Sequence, residues 1–310
     1  MNDCKVSVII PTMNRPNTLA RTLRTIAAGS CLPAQIVIVD QSQNKDIAEQ
    51  NRALAEKIGN DIRIDYIYQA EPSSTKARNR GISASSEDIL IFSDDDVDLE
   101  PDTVGNIARL MESKDLAMIA GIDKNSGISE SHIGYILGTK SFINRNIGHV
   151  TASILGRYPD RITEETATQW AMGYFFAVRR SLLDAWSIRW DENLIRYAYN
   201  EDLDFTHRYY MNAKESGMRC VLTPQVQVRH LVSKEYRAPS ATTTYMYVLH
   251  RLYIACKLHR GHIGIFWCDL WRLAERIVRR ESPGDLVRAY RIYFKNRQAI
   301  RSGDIARFLP

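Results

Sequence analysis

A chain of 310 residues with 45% hydrophobic and 25% charged residues has ample material for a core, and this balance excludes a disordered or low-complexity protein. The net charge of +5 is unevenly spread: from Lys234 to the end there are 15 basic and 6 acidic residues, a net of +9, which leaves −4 on residues 1–233. No apolar run approaches the ~18 residues that span a bilayer, and the N-terminus enters a strand pattern without a signal-peptide profile.

The five cysteines, Cys4, Cys31, Cys220, Cys256 and Cys268, are scattered, odd in number and without a CxxC pair. The expectation is reduced thiols in a cytoplasmic protein, with neither a disulfide framework nor a zinc knuckle.

The first half alternates. Lys5–Ile10 is a β-branched run ending at Pro11, and Asn17–Ala28 has helical spacing with Asn17 as its N-cap. Gln35–Asp40 predicts a second strand, 46–58 a helix, Ile62–Tyr68 a strand and Ser74–Ser83 a helix. Asp88–Phe92 predicts the fourth strand, 102–113 a helix and Leu116–Ile122 the fifth strand. Such alternation argues for a mostly parallel sheet flanked by helices, with ligands at the carboxyl ends of the strands. Residues 123–165 lose periodicity and are expected to form a long variable excursion. Order returns at Gln169–Val178. A helix follows from Glu201 to Lys214, then short strands at Cys220–Leu222 and Val226–His230 around Pro224. After Pro239 the pattern is helical, broken at Gly261 and at Ser282–Gly284.

Three clusters carry chemistry. Asp94-Asp95-Asp96, with Asp98 close behind, follows an apolar strand. Adjacent carboxylates repel unless a cation neutralises them, and hard divalent ions bridge carboxylates to phosphates. A solvated acidic turn is the competing reading; the position at a strand's carboxyl end favours the metal. Lys76-Ala77-Arg78-Asn79-Arg80-Gly81 opens a helix, where basic groups and free N–H groups suit a diphosphate. Glu201-Asp202-Leu203-Asp204 opens another helix, either as a cap or as a reactive carboxylate pair. Taken alone, His230 is more simply a structural histidine.

In order, these residues resemble the inverting family 2 glycosyltransferases with the GT-A fold. The resemblance runs through Pro11-Thr12-Met13-Asn14-Arg15, Asp40, Ala77–Gly81, Asp94–Asp96, Gly173 with Arg179-Arg180, Trp190-Asp191-Glu192, Glu201-Asp202, and Pro224 followed by His230. It covers about residues 5–232. It implies a catalytic unit over 1–233, with a donor-binding half of about 1–122 and an acceptor-side half of about 123–233. A basic helical extension over 234–310 would follow.

The roles it implies are specific. Pro11, Thr12, Asn14 and Arg15 would line the nucleotide-sugar site, with Thr12 touching the nucleotide. Asp40 and Gln41 would read the base, and Gln41 is compatible with UDP, dTDP or GDP. Lys76, Arg78 and Asn79 would approach the diphosphate, Asp94 the ribose, and Asp95 the donor. Asp96, with help from His230, would hold Mn²⁺ or Mg²⁺. Asp202 would be the general base and Glu201 its neighbouring carboxylate. Trp170 and Trp190 could face a sugar ring, with core packing the competing role, and Tyr197 and Tyr199 are candidates for the acceptor cleft.

The implied activity is metal-dependent transfer of a sugar from a nucleotide-diphosphate sugar to a saccharide or lipid-linked acceptor, in polysaccharide or glycolipid assembly. The alternatives are an inactive nucleotide-sugar-binding protein of the same fold, and a nucleotidyltransferase. The latter would want a glycine-rich phosphate loop that Pro11–Arg15 is not. Within Ile265–Arg280, apolar residues recur at helical spacing with arginines between them. This pattern either packs on the catalytic unit or lies peripherally on the inner face of the cytoplasmic membrane. Nucleic acid is not an expected partner, because no recognition motif accompanies the basic residues.

Overall fold

The computed structural model describes residues 2–58, 62–125, 133–195, 199–233 and 240–309. Its first part alternates as the sequence predicts: β1 (Asn2–Thr12), α1 (Pro16–Ala27), β2 (Cys31–Asp40), α2 (Lys45–Ile58), β3 (Ile64–Tyr68), α3 (Ser74–Ala84) and β4 (Ile89–Ser93). Then come β5 (Val97–Leu99), α4 (Thr103–Leu110) and β6 (Leu116–Asp123). The excursion holds α5 (Ile133–Ile136), β7 (His149–Val150), β8 (Gly156–Arg157) and β9 (Thr166–Ala167). The second half of the catalytic region adds β10 (Phe175–Arg179), α6 (Arg180–Ala185), α7 (Glu201–Glu215) and β11 (Arg219–His230). Four helices close the chain: α8 (Ser240–Lys257), α9 (Ile263–Val278), α10 (Gly284–Lys295) and α11 (Arg297–Arg301).

Among the described residues the main sheet runs β3-β2-β1-β4-β10-β6-β11-β5, with β9 alongside β11. The block β3-β2-β1-β4 is parallel, and so is β11 with β6. β10 enters antiparallel between β4 and β6, and β5 pairs antiparallel with the end of β11. The sheet is therefore mixed, with the parallel part carrying the carboxyl-end loops. Buried Val8, Ile10, Leu23, Ile38 and Ile91 fill one side of it, and Ile9, Phe92, Phe176 and Phe205 the other. Continuous apolar strands of this kind are what a sheet covered on both faces requires.

Several local expectations change. Helix α1 starts at Pro16, whose fixed φ suits a first helical residue, so Asn17 lies inside the helix and is not its cap. The two strands expected around Pro224 are one strand, with its register against β6 broken between Leu222 and Gln227. Cys4 and Cys31 are joined in a disulfide, with Cα atoms 6.0 Å apart, which corrects the expectation of five reduced thiols; Cys220, Cys256 and Cys268 are free. The pair is hidden in sequence by 27 residues and revealed only by the parallel register of β1 and β2, which sets Cys4 against Pro33.

The excursion is not structureless where it is described. Val150, Ile154 and Leu155 are buried in one core with Met246, Leu249 and Leu252 of α8, Leu203 of α7 and Ile265 of α9. Its apolar residues show no period of their own because they are buried against helices about a hundred residues later. The residues 126–132 fall outside the described ones.

One glycine sets the geometry at the head of the sheet. A Cβ at Gly81 would stand 2.3 Å from Ile9 Cγ2, so α3 lies directly on β1. That contact carries Arg78 to the carboxyl end of the strands. Glycine-to-alanine inside a helix ordinarily gains about 1 kcal/mol. Here Gly81→Ala is expected to cost about 1–3 kcal/mol through overpacking, read as a lower urea midpoint at unchanged m-value.

Candidate active site

The acidic triplet fills the turn between β4 and β5, and strand pairing completes it. Register sets His230 opposite Val97, so His230 stands beside Asp96 with Nε2 3.3 Å from Oδ1. The chain just beyond grips Asp96 through two amides: Leu231 N–H donates to its carbonyl at 2.9 Å and Ser233 N–H to Oδ2 at 2.8 Å. Tyr174 stacks on the His230 ring with centroids 4.9 Å apart, and Asp123 accepts the His230 amide at 3.2 Å. Asp94, Asp96 and His230 each offer a ligand atom, all within 4.8 Å of one another. Two carboxylates and an imidazole at that spacing can hold a metal ion.

Asp95 faces the other way. It is buried, accepting from Thr12 Oγ1 at 2.7 Å and Arg15 at 3.1 Å. Burial outweighs both partners, and its neighbours Asp96 and Asp94 add to the effect, pushing its pKa up to about 7. Burial also pushes Asp94 up against the pull of Arg78. Asp96 is held low despite burial, by His230, the Ser233 amide and Arg15. His230 is raised: burial disfavours its charge, and the facing carboxylates, Asp96 first, more than restore it.

Arg78 joins this cluster to the second one. Its side chain is 4% exposed, donating to Asp94 Oδ1 at 2.9 Å and to Glu201 Oε1 at 3.1 Å, with Ser74 as a third partner. The guanidinium carbon stands 4.6 Å from the Trp190 ring centroid. Trp190 is itself stacked on Phe205 at 4.3 Å and nearly parallel, which gives it to the core. Trp170 is likewise buried, its indole N–H donating to Arg157 O at 3.1 Å.

Glu201 and Asp202 open α7 behind Asn200, which takes a left-handed φ of 65°. Asp202 Oδ2 accepts the Gly173 amide at 2.8 Å, and Oδ1 accepts Leu203 N–H at 2.7 Å. A Cβ at Gly173 would come within 3.0 Å of Asp202 Cβ, so glycine there admits the carboxylate. The next residue, Tyr174, accepts the Asp94 amide at 2.9 Å. Burial raises Asp202 against the two amides, and pushes Glu201 up to about 8 against Arg78, with Asp202 adding to the rise.

The remaining sequence-predicted residues are placed unevenly. Asp40 is fully buried with its carboxylate engaged by the Ser42 amide at 2.7 Å, Asn51 at 2.8 Å and Tyr66 at 2.8 Å, so it braces the loop after β2 from beneath. Gln41 Oε1 accepts the Ser73 amide at 2.6 Å, linking that loop to the start of α3. Asn14 ties the loop after β1 to the same place, its N–H donating to Ser42 and its Oδ1 accepting from Gln43. Pro11, near the end of β1, pairs with Val39. Lys76 turns outward to Glu71 at 2.8 Å. Asn79 exchanges hydrogen bonds with the Trp190 backbone, both 2.9 Å, and thereby positions the 190–192 segment. Tyr199 gives its carbonyl to His250 and its ring edge to Tyr247, while Tyr197 falls outside the described residues.

Some residues of this site escape sequence reasoning. Thr22 donates to Asp95 O at 2.8 Å and accepts the Val97 amide at 3.1 Å, fixing the triplet's backbone from α1. Lys257 of α8 bridges Asp191 and Asp204 at 2.5 and 2.9 Å. Neither has a motif of its own. The only sequence signal was a buried-position threonine and a lysine closing an apolar helix.

Residues 7–187 match the family model described as glycosyl transferase family 2. The chain belongs to that family. Curated relatives include uncharacterized glycosyltransferases from Rickettsia bellii, 30% identical, and Rickettsia conorii, 32% identical, each over 96 residues or 31% of this chain. The chain spans only 13% and 15% of those proteins.

Among solved structures, a mannosyltransferase from Pyrobaculum calidifontis in complex with GDP-Man and Mn²⁺ aligns over 96% of this chain and 82% of its own, with a TM-score of 0.58 at 16% identity. GalNAc-T7 with UDP, GalNAc and Mn²⁺ gives 0.58 at 16% identity, over 81% of this chain and 47% of its own. S. aureus TarS 1–349 in complex with UDP-GlcNAc gives 0.53 at 16% identity, over 83% and 71%. The fold is therefore the GT-A type. Membership of a glycosyl transferase family favours glycosyl transfer over the nucleotidyltransferase reading.

Two measurements check the electrostatics. Arg78→Met leaves half-buried Asp94 without its cation and Glu201 without its donor, and is expected to destabilise the fold by about 1–3 kcal/mol in urea unfolding. Glu201, raised from 4.5 to about 8, keeps in the folded state a proton that the unfolded chain releases. Its contribution to stability is full below pH 4.5 and is lost as pH rises through about 8. Unfolding free energies across that range should show this fall, and Glu201→Gln should remove the part due to Glu201.

Proposed function

We propose that this glycosyltransferase uses a divalent cation to move a sugar, with inversion, from a nucleotide-diphosphate sugar to an acceptor hydroxyl. The carrying observation is the pairing, through buried Arg78, of the Asp94–Asp96–His230 cluster with the Glu201–Asp202 pair. Mn²⁺ in two of the structural neighbours, and nucleotide sugars or their parts in all three, supports both the donor class and the cofactor. The donor half is taken as about 1–122, the acceptor side as 123–233, and the basic helical extension as 234–310.

Asp94, Asp96 and His230 would hold Mn²⁺ or Mg²⁺, which when bound neutralises charge on the leaving diphosphate. Thr12, Arg15 and Arg78 surround the acidic turn and supply hydroxyl and cationic groups for the donor. Pro11, Asn14 and Gln41 form the rim beneath the base, braced by Asp40, and suit UDP, dTDP or GDP; Lys76 and Asn79 border the diphosphate side. Asp202 is the general base. Its carboxylate is oriented by the Gly173 and Leu203 amides, both of which favour the ionised form that takes the acceptor proton. Inversion is a single displacement at the anomeric carbon and requires no nucleophilic side chain. Glu201 keeps Arg78 in place beside the base.

The acceptor in this reading is a saccharide or lipid-linked saccharide, in polysaccharide or glycolipid assembly. In this reading segment 265–280 lies against the inner face of the cytoplasmic membrane. Among the described residues no helix is long and apolar enough to cross a membrane. One side of α9 packs inward through Ile265 and Cys268 while Trp267, Leu270 and Trp271 remain exposed, which supports packing and surface contact together.

A thermal-shift panel of UDP-, dTDP- and GDP-sugars, with and without Mn²⁺, should show one donor stabilising the protein only with the metal. Asp96→Ala is expected to abolish that shift. Asp202→Asn should keep the shift yet lose transfer by about 10²-fold or more. A fully active Asp202→Asn variant would move the base to another residue.

A further inference from the structure

The outward stripe of α9 does not end at the helix. Ile263, Trp267, Leu270, Trp271, Ile277 and Val278 follow one another at helical spacing and are all exposed, opposite the side that packs through Ile265 and Cys268. Trp267 donates its indole N–H to Ile136 O at 2.8 Å, and a Cβ at Gly138 would rest 3.5 Å from its ring. Through that bond the stripe continues onto residues 133–143. There Tyr135 and Phe142 stack with ring centroids 4.0 Å apart, and Phe142 and Ile143 are 68% and 91% exposed. Two segments joined by a bond across 131 residues of sequence thus present one apolar surface, and soluble monomers rarely leave such surfaces bare.

Charge identifies what covers it. Arg145 lies two residues beyond Ile143, Arg279 and Arg280 directly follow Val278, and all three are exposed. The stretch from Lys234 onward has a net charge of +9. Glu275 pairs with Arg279 at 2.8 Å and cancels its charge, and exposed Glu281 follows Arg280, so the positive excess on this face comes from Arg145 and from the +9 of the tail as a whole. A second copy of the chain would set like charges against each other, whereas anionic lipid headgroups would neutralise them. Tryptophans with an apolar stripe and a cationic rim are the elements of an interfacial helix.

We infer that the chain meets an anionic bilayer with two segments at once, α9 and residues 133–143, locked together by the Trp267–Ile136 bond. The inference rests on the reading of the tail as membrane-facing and adds to it the second segment and the lipid charge.

The test is co-sedimentation with vesicles of equimolar phosphatidylglycerol and phosphatidylcholine, and with phosphatidylcholine alone. Wild type should bind the first strongly and the second weakly. Ile136→Ser/Ile143→Ser and Leu270→Ser/Ile277→Ser alter exposed side chains, so the melting temperature should hold. Each should lower partitioning by about tenfold or more. Loss in the α9 variant with normal binding in the 133–143 variant would overturn the two-segment surface and leave the membrane-facing tail standing. No binding of wild type to either vesicle would end both. A vesicle-free dimer dissociated by either variant would make the patch a self-association surface and overturn the inference. Equal binding to both vesicles would overturn the anionic preference.

Discussion

A single buried guanidinium holds the site together. Arg78 comes from α3, Asp94 from the turn after β4, and Glu201 from the head of α7, three places that approach one another only through the completed sheet. Burying a cation is costly, and here it is tolerated because Asp94 and Glu201 stand against it. The Trp190 face below the guanidinium closes off water and adds a cation–π contact. The direct contact between α3 and β1 at Gly81 follows from this arrangement, because only a close-lying helix brings Arg78 deep enough to reach both acids.

The antiparallel join between β5 and β11 is the second constraint. It closes the edge of the sheet and brings His230 to Asp96 across 134 residues of chain. With side chains alternating from face to face along a strand, a slip of one residue would turn His230 away and leave Asp94 and Asp96 without a nitrogen donor. The insertion of β10 between β4 and β6 does similar work: it leads from Gly173 and Tyr174, the residues that touch Asp202 and Asp94, into the core.

Much of this was legible in the sequence. The alternating strands and helices up to β6, the carboxylate triplet after an apolar strand and the Glu201-Asp202 helix start all announced themselves by local pattern. The antiparallel strands did not, since β5 is three residues long and β10 is an apolar run with no period to give its direction. The partition of the triplet was also invisible: Asp94 and Asp96 face His230, while Asp95 turns to Thr12 and Arg15. Identical neighbours in sequence acquire different duties from the direction each side chain takes. Asp40 and Asn79 illustrate the converse, because residues flagged for a ligand have their polar groups engaged by the protein itself. The tail reads as helical, but the excursion's apolar residues show no period because they are completed by those helices.

The backbone between Gly173 and Tyr174 has a consequence for selectivity. The Gly173 amide donates to the Asp202 carboxylate and the Tyr174 carbonyl accepts the Asp94 amide. Asp202 and the Asp94 turn are therefore held to a common ruler made of main chain. With the base and donor roles proposed above, an acceptor would be gauged by whether its hydroxyl spans that interval, and two sugars of equal affinity would differ in turnover. Discrimination of this kind would reside in the stiffness of a dipeptide, and changes to side chains elsewhere would leave it intact.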